Sequence, residues 1–192
     1  PKVLGYLDVL REHKPVGERV AVIGAGGIGF DLAASLTQQG SSASLDPARF
    51  YAEWGIDPGY AHAGGLSPAH PEPAARAVHL LQRKSSKVGD GLGRTTGWIH
   101  RTELKARGVA MTPGVRYERI DEAGLHVQID GQPQTLPADT VVVCAGQEPQ
   151  RELLGALQAA GCTVHLIGGA DEAAELDAKR AIDQGTRLAA EI

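Results

Sequence analysis

Cysteine, methionine and large aromatics are scarce in this 192-residue chain, which has two Cys, one Met, two Trp and two Phe. Cys144 and Cys162 are too few for a disulfide framework or a cysteine-held cluster, and a reducing cytoplasm suits them best. Cys144 stands in an apolar run and reads as a buried thiol rather than a redox centre. No apolar stretch approaches the ~20 residues that a membrane span needs, so no membrane association is expected. Positive charge is not in excess either. A net charge of −4 argues against nucleic acid or an anionic membrane as partner. His79, His126 and His165 fall in candidate strands without metal-ligand spacing, so no metal site is expected, and His100 reads as a packing or polar-contact residue. The chain opens on Pro1-Lys2-Val3-Leu4, without an initiator Met or a signal-peptide pattern, and so reads as a piece of a longer cytoplasmic protein.

What the chain has in quantity is glycine, 25 residues of it, alongside 42% apolar residues that support a packed core. Residues 20–23, Val-Ala-Val-Ile, form a short apolar run that breaks into Gly24-Ala25-Gly26-Gly27-Ile28-Gly29 and then a helix-like Phe30-Asp31-Leu32-Ala33-Ala34-Ser35-Leu36. This is a buried strand entering a G-x-G-x-x-G turn and a helix. Gly24 permits the tight turn, Gly26 lets backbone approach a pyrophosphate, and Gly29 lets helix pack closely on strand. The helix N-terminus adds unpaired N–H groups and the positive end of its dipole. A purely structural glycine turn is the alternative reading.

Elsewhere the chain alternates between candidate strands and helices. Residues 1–14 read as a short amphipathic helix, ended by Pro15-Val16-Gly17. Residues 38–75 are rich in Gly, Pro and Ser, with one helical stretch at Pro47–Trp54. So long an excursion is either a functional lid or docking surface or a solvated insertion, with Trp54 and Tyr60 as possible anchors. A second strand, Ala77–Gln82, runs into Arg83-Lys84-Ser85-Ser86-Lys87. An NAD site would place Asp or Glu there for the ribose 2′-hydroxyl, whereas cations suit a 2′-phosphate. Between Arg83 and Arg107 there are seven Lys or Arg against two acids, and the plainer reading is a solvated basic face.

A second glycine-rich loop, Gly89–Arg101, lacks Walker spacing and leads into a helix through Leu104 and Ala106. It is expected to fold against the cofactor or a partner domain. A third strand at Val109–Met111, antiparallel strands at Val115–Ile120 and Leu125–Ile129, an Asp130-Gly131 turn and an extended piece near Thr135-Leu136 precede a buried strand, Thr140–Cys144, ending at Gly146. Thr163–Ile167 reads as a last strand, followed by Gly168-Gly169-Ala170-Asp171 and a helix over 172–190, with Asp171 either its N-cap or a ligand contact. The fold class is therefore α/β, a Rossmann-like FAD/NAD(P)-binding three-layer fold with a parallel sheet and a β-meander crossover.

The segments VAVIGAGGIGFDLA, LLQRKSSKVGDGLGRTTGWIHRTELKARGV, VVVCAGQEP and VHLIGGADEAAELDAKRAIDQGTRLA together resemble the C-terminal third of the bacterial NADPH-dependent 2,4-dienoyl-CoA reductases. That family is an old yellow enzyme-like group of iron-sulfur flavoenzymes. The resemblance implies that residues 15–150 form an NADPH-binding domain, with 1–14 and 151–192 as returning pieces of an FAD domain. It implies NADPH contacts from Gly24, Ala25, Gly26, Gly27, Ile28 and Gly29, from Arg83 and Lys84, and from the strand-end Gly146 and Gln147. It also implies flavin contacts from Gly169, Ala170 and Asp171. Hydride would pass from NADPH to FAD, then electrons through a four-iron cluster to FMN, for reduction of dienoyl-CoA in unsaturated fatty acid β-oxidation. No catalytic residue is expected among these residues. The partners implied are the FMN-barrel and FAD domains of the same polypeptide. Two other readings stay open: an ADP-holding structural domain of an amine dehydrogenase relative, and a non-enzymatic nucleotide-binding redox sensor.

Overall fold

The computed structural model describes residues 2–174 and 177–192. These divide after Ala145 into two compact units. In the first, a five-stranded parallel sheet is built from β1 (Val3–Gly5), β2 (Arg19–Ile23), β3 (Ala77–Leu81), β4 (Ala110–Thr112) and β8 (Thr140–Val143), in the order β1-β8-β2-β3-β4. The antiparallel meander of β5 (Arg116–Asp121), β6 (Gly124–Ile129) and β7 (Gln132–Leu136) forms a second, three-stranded sheet. Helices α1 (Tyr6–Leu10), α2 (Gly27–Thr37) and α4 (Gly97–Ala106) complete the unit, with α3 (Pro47–Trp54) inside the 38–75 excursion.

Central strand β2 is apolar on both faces because it is covered on both. Val20 and Val22 pack with Phe30, Leu32 and Leu36 of α2 and Leu104 of α4. Ala21, between them, points the other way and packs with Leu125 and Val127 of the meander. The meander thus covers the face opposite the helices, as a three-layer arrangement requires. Its last hairpin turns at Asp130-Gly131, both in the left-handed region at φ +53° and +74°. Pro133 lies in β7, an edge strand, where its missing N–H leaves no ladder bond unmade.

Three expectations are corrected at the chain's two ends. Residues 3–5 are strand rather than helix and pair with Val141–Val143, so they lie in the nucleotide-domain sheet, and only Tyr6–Leu10 are helical. In the second unit, α5 spans Leu154–Ala159 and α6 spans Ala178–Glu191. Thr163–Ile167 form no strand: among the described residues of this unit no other strand exists, and a ladder needs a partner for its backbone groups. The final helix begins at 178 rather than 172, because Asp177 is its N-cap and accepts from the Arg180 N–H at 2.7 Å. Residues 175 and 176 of the expected helix lie outside the described residues.

Helix α3 falls where the sequence places it. The Asp46 carboxylate accepts from the Ala48 and Arg49 N–H groups, Pro47 opens the helix and Gly55 closes it in the left-handed conformation. Glu53 ties it to α4, facing Arg49 at 3.4 Å and Arg107 at 3.8 Å. Arg49 also pairs with Glu72. Tyr60 is 79% exposed, so the anchors of the excursion are these ion pairs and half-buried Trp54 rather than Tyr60.

The start of β2 is fastened by Asp139. Its carboxylate accepts from the Arg19 N–H at 2.9 Å and from the Arg19 guanidinium, which holds its pKa down at about 2. A carboxyl group more acidic in the folded than in the unfolded chain contributes stability above about pH 4 and loses it as pH falls further. Asp139→Asn is therefore expected to lower the urea midpoint at neutral pH. The gap from the parent should close between about pH 4 and 2, measured by urea titrations at pH 7, 4, 3 and 2; a gap independent of pH would contradict the assignment.

The β2–α2 turn makes a second, steric prediction. A Cβ on Gly29 would lie 1.9 Å from the Gly24 carbonyl oxygen, a collision that only backbone movement relieves. Gly→Ala in a helix interior is normally favourable by about 1 kcal/mol. Gly29→Ala is instead expected to destabilise by about 2 kcal/mol or more, because the strand and helix must separate. Chemical denaturation reads this directly, and a stabilised variant would refute it.

Candidate functional site

All five strands of the parallel sheet end on the same edge, and β2 and β8 are neighbours at the point where the chain order reverses. Open α/β sheets bind ligands at that crevice. Gly24 adopts φ +107°, donates its N–H to the Leu81 carbonyl at 2.9 Å, and a Cβ there would lie 3.0 Å from the Cys144 carbonyl. The turn is thus pressed between β3 and β8, with no room for a side chain. Buried Ala25 belongs to the core beneath it.

Gly26 and Gly27 are different: both are exposed, and a Cβ built on either meets nothing within 4 Å. Their lack of side chains satisfies no packing demand of the protein and leaves an open cradle in front of the backbone. Gly26 is the N-cap of the 11-residue α2, so the early N–H groups of Gly27 and half-buried Ile28 face that cradle without intrahelical acceptors. Such a terminus favours an anion, and the donor set fits the pyrophosphate of a dinucleotide.

One strand over, β3 ends at Leu81 and the basic loop begins. Arg83 and Lys84 are both exposed. The Arg83 charge acts on the Tyr117 hydroxyl of β5, although burial outweighs it and pushes that hydroxyl up to about 12. The loop backbone is not loose. The Gln82 side-chain amide donates to the Lys84 carbonyl at 3.0 Å and the Ser86 carbonyl at 2.9 Å, and the Gly114 N–H donates to the Lys84 carbonyl at 2.9 Å. Farther on, Arg101 of α4 donates to the Gly89 carbonyl at 2.8 Å. Gly89, at φ +76°, sits so close to the Phe30 ring of α2 that a Cβ would meet it at 2.6 Å. The second glycine-rich loop therefore folds against the nucleotide helix itself. Gln82 and Arg101 stand in the resembling segments without a role of their own there, and Phe30 only as a helix residue. Gln82 carried one signal, its place between a strand end and a cation pair.

Cys144, at the end of β8, is half-buried, and burial pushes its thiol up to about 12, so it stays protonated at neutral pH. Cys162 is exposed, and both are free thiols. Burial also lowers the pKa of His79, whose Nε2 lies 2.8 Å from the Thr112 hydroxyl, a contact between neighbouring strands. Among the described residues no cluster of three or more His, Cys, Asp or Glu could hold a metal ion, and no helix is long and apolar enough to cross a membrane.

The remaining expected site residues lie in the second unit. Gly146, at φ +79°, and exposed Gln147 are its first residues. Gly169 and Ala170 lie in a single 3-10 turn over Gly168–Ala170. Asp171 ends that turn and does not cap α6; its carboxylate accepts from the Gln184 side chain at 2.9 Å. Gln184 also accepts from the Gly168 N–H at 2.7 Å, and Arg151 donates to the Ala170 carbonyl at 2.6 Å. The turn is held in shape by α6 on one side and Arg151 on the other.

A parallel sheet with a glycine cradle at its reversal point, backed by helices and a meander, defines a Rossmann-like NAD(P)/FAD-binding domain. The chain belongs to the pyridine nucleotide-disulphide oxidoreductase family, which it matches over residues 7–176. A metal reductase of Desulforamulus reducens is 26% identical over 88% of this chain and 24% of that protein. A mercuric reductase of Bacillus cereus is 24% identical over 81% of this chain and 19% of its own length. The chain thus spans about a quarter or less of the curated relatives it matches. Among solved structures, 2-naphthoyl-CoA reductase superposes with a TM-score of 0.65 at 18% identity, over 99% of this chain and 23% of that one. Histamine dehydrogenase from Rhizobium sp. 4-9 gives 0.63 at 16% identity, over 100% and 26%.

The open space at Gly26 yields a clean separation of binding from folding. The Cβ of Gly26→Val enters the cradle, where nothing of the protein stands within 4 Å of it. The expected outcome is an unchanged circular dichroism spectrum and melting temperature with calorimetric nucleotide binding reduced by about 100-fold or more, since the pyrophosphate loses its approach to the backbone. Unchanged affinity would make the turn structural only.

Proposed function

We propose that this chain is the NADPH-binding portion of a multidomain flavoprotein reductase that acts on 2,4-dienoyl-CoA. NADPH bound by these residues would supply a hydride to an FAD; the four-iron cluster and FMN that the resemblance implies would be held by the rest of the polypeptide. The residues of this chain bind and orient. The cradle of Gly26 and Gly27 at the α2 N-terminus receives the pyrophosphate, Gly24 and Gly29 hold strand and helix close enough to form it, and Arg83 and Lys84 receive the adenosine 2′-phosphate. In the second unit, Gly169, Ala170 and Asp171 form the flavin-contacting turn, shaped by Gln184 and Arg151.

The observation that carries the reading is the conjunction of an open glycine cradle with cations where an NAD site has a carboxylate. The four quoted sequence segments add the dienoyl-CoA assignment. That 2-naphthoyl-CoA reductase shares the fold over 99% of this chain is compatible with a CoA-thioester reductase. A second reading has one observation in its favour, the equally complete fold match to histamine dehydrogenase. There the domain would hold ADP as a structural group, and a basic pair for a 2′-phosphate would have no purpose.

The two readings part on cofactor choice. NADPH and NADH differ only by the 2′-phosphate, and charge-assisted bonds contribute roughly 1.5–3 kcal/mol each. Two exposed cations should favour NADPH by about 2–4 kcal/mol, or roughly 30- to 1000-fold. Arg83→Glu with Lys84→Ala should weaken NADPH far more than NADH and flatten the salt dependence of NADPH binding. Dissociation constants for both nucleotides at two ionic strengths decide the matter. Equal losses would remove the 2′-phosphate from the account, and wild-type binding of ADP in preference to both would favour the second reading.

A further inference from the structure

The residue that immediately follows β3 is Gln82, and its side chain does not reach outward as a ribose-binding group would. Its two amide hydrogens are spent on the Lys84 and Ser86 carbonyls, at 3.0 and 2.9 Å. Its backbone is fixed on both sides as well: the Gln82 N–H donates to the Thr112 carbonyl at 3.0 Å, and the Gln82 carbonyl accepts from the Val115 N–H at 2.9 Å. The side chain is thus a rigid post around which residues 83–86 wrap. We propose that Gln82 is a specificity-positioning residue: it closes the basic loop into an anion-accepting shape and so sets the preference for a 2′-phosphorylated nucleotide. This rests on the reading that Arg83 and Lys84 receive that phosphate.

Two physical effects combine. Carbonyl oxygens are partial negative charges, and any that faced a phosphate would oppose it; the amide engages two of them directly beside the cations. The closure also fixes the backbone that carries Arg83, Lys84, Ser85 and Ser86, all exposed, so less conformational freedom is lost when an anion binds. A carboxylate at 82 would reverse both effects at once. It has no proton to donate to the Lys84 and Ser86 carbonyls, and it would set a negative charge where the phosphate must come.

The test is a matrix of calorimetric dissociation constants for NADPH and NADH on the parent chain, Gln82→Ala, Gln82→Glu and the Arg83→Glu/Lys84→Ala pair, with melting temperatures alongside. Gln82→Ala is expected to weaken NADPH about 10-fold, the scale of two lost neutral hydrogen bonds, while NADH changes less than about twofold. Gln82→Glu should weaken NADPH by about 100-fold or more and leave NADH equal or tighter, since a strand-end acid suits the free ribose hydroxyl. Both are expected to melt within about 3 °C of the parent, because the loop is exposed. If the cation pair matters for NADPH but neither Gln82 variant alters the NADPH-to-NADH ratio, positioning by Gln82 is refuted and the phosphate reading stands. If the cation-pair variant loses both nucleotides equally, the phosphate reading itself has failed. Equal loss of both nucleotides in a Gln82 variant, folded or not, would make Gln82 structural and overturn the proposal.

Discussion

The contact on which the nucleotide fold depends is the backbone-to-backbone approach of Gly29 to Gly24. A methyl group at 29 would stand 1.9 Å from the Gly24 oxygen, so strand β2 and helix α2 meet at a distance that no side chain permits. Everything functional about the turn follows. Because α2 starts so close to the sheet edge, its early N–H groups point out over the carboxyl ends of β2 and β8. Because Gly24 is wedged against the Cys144 carbonyl, the turn cannot relax outward into that space. Gly26 and Gly27, by contrast, have nothing of the protein before them. Close packing on one side and vacancy on the other are the same requirement seen from protein and ligand.

That arrangement was legible in the sequence because each part has a local signal. The apolar run into Gly24, the glycine spacing and the helix-forming residues from Ile28 to Leu36 mark strand, turn and helix, and all three form where expected. The Pro47–Trp54 helix was equally readable, since Asp46, Pro47 and Gly55 punctuate it at both ends. Less legible was whatever depends on pairing far along the chain. Val3–Gly5 has helix-compatible spacing and becomes a strand only because Val141–Val143 offers a free edge. Thr163–Ile167 has β-branched character and no edge to join in its unit, so composition alone misleads. Asp171 and Asp177 illustrate a finer ambiguity. Both are acids just ahead of the last helix; the Arg180 N–H selects Asp177 as cap, and Gln184 engages the other.

The long excursion behaves as part of the first unit rather than as a free appendage. Glu53, about 90% shielded, stands between Arg49 of its own helix and Arg107 at the end of α4. A shielded carboxylate between two guanidiniums has its charge compensated from both sides, and displacing it would separate two ion pairs at once. The same α4 carries Arg101, which holds the Gly89 carbonyl beside the basic loop. Both glycine-rich excursions are therefore referenced to one helix.

How a surface loop could discriminate one phosphate is a question of order as much as of charge. Exposed cations in salt are screened over about 8–10 Å, and a flexible Lys or Arg surrenders side-chain freedom when it binds. Cationic composition alone would give attraction with little selectivity, as any solvated basic face does. Here the charge is mounted on fixed backbone. Gln82 takes two loop carbonyls, Gly114 braces one of the same carbonyls, and Gly89 is seated against Phe30 under Arg101. A loop referenced to the sheet through Gln82 and to α2 through Gly89 has its position set by the same two elements that form the pyrophosphate cradle. The separation between cradle and cations is then a property of the fold. The pyrophosphate and 2′-phosphate of a dinucleotide are joined through the ribose and a few rotatable bonds, which bounds their separation, and a rigid pair of sites can select within that range where a mobile basic tail could not.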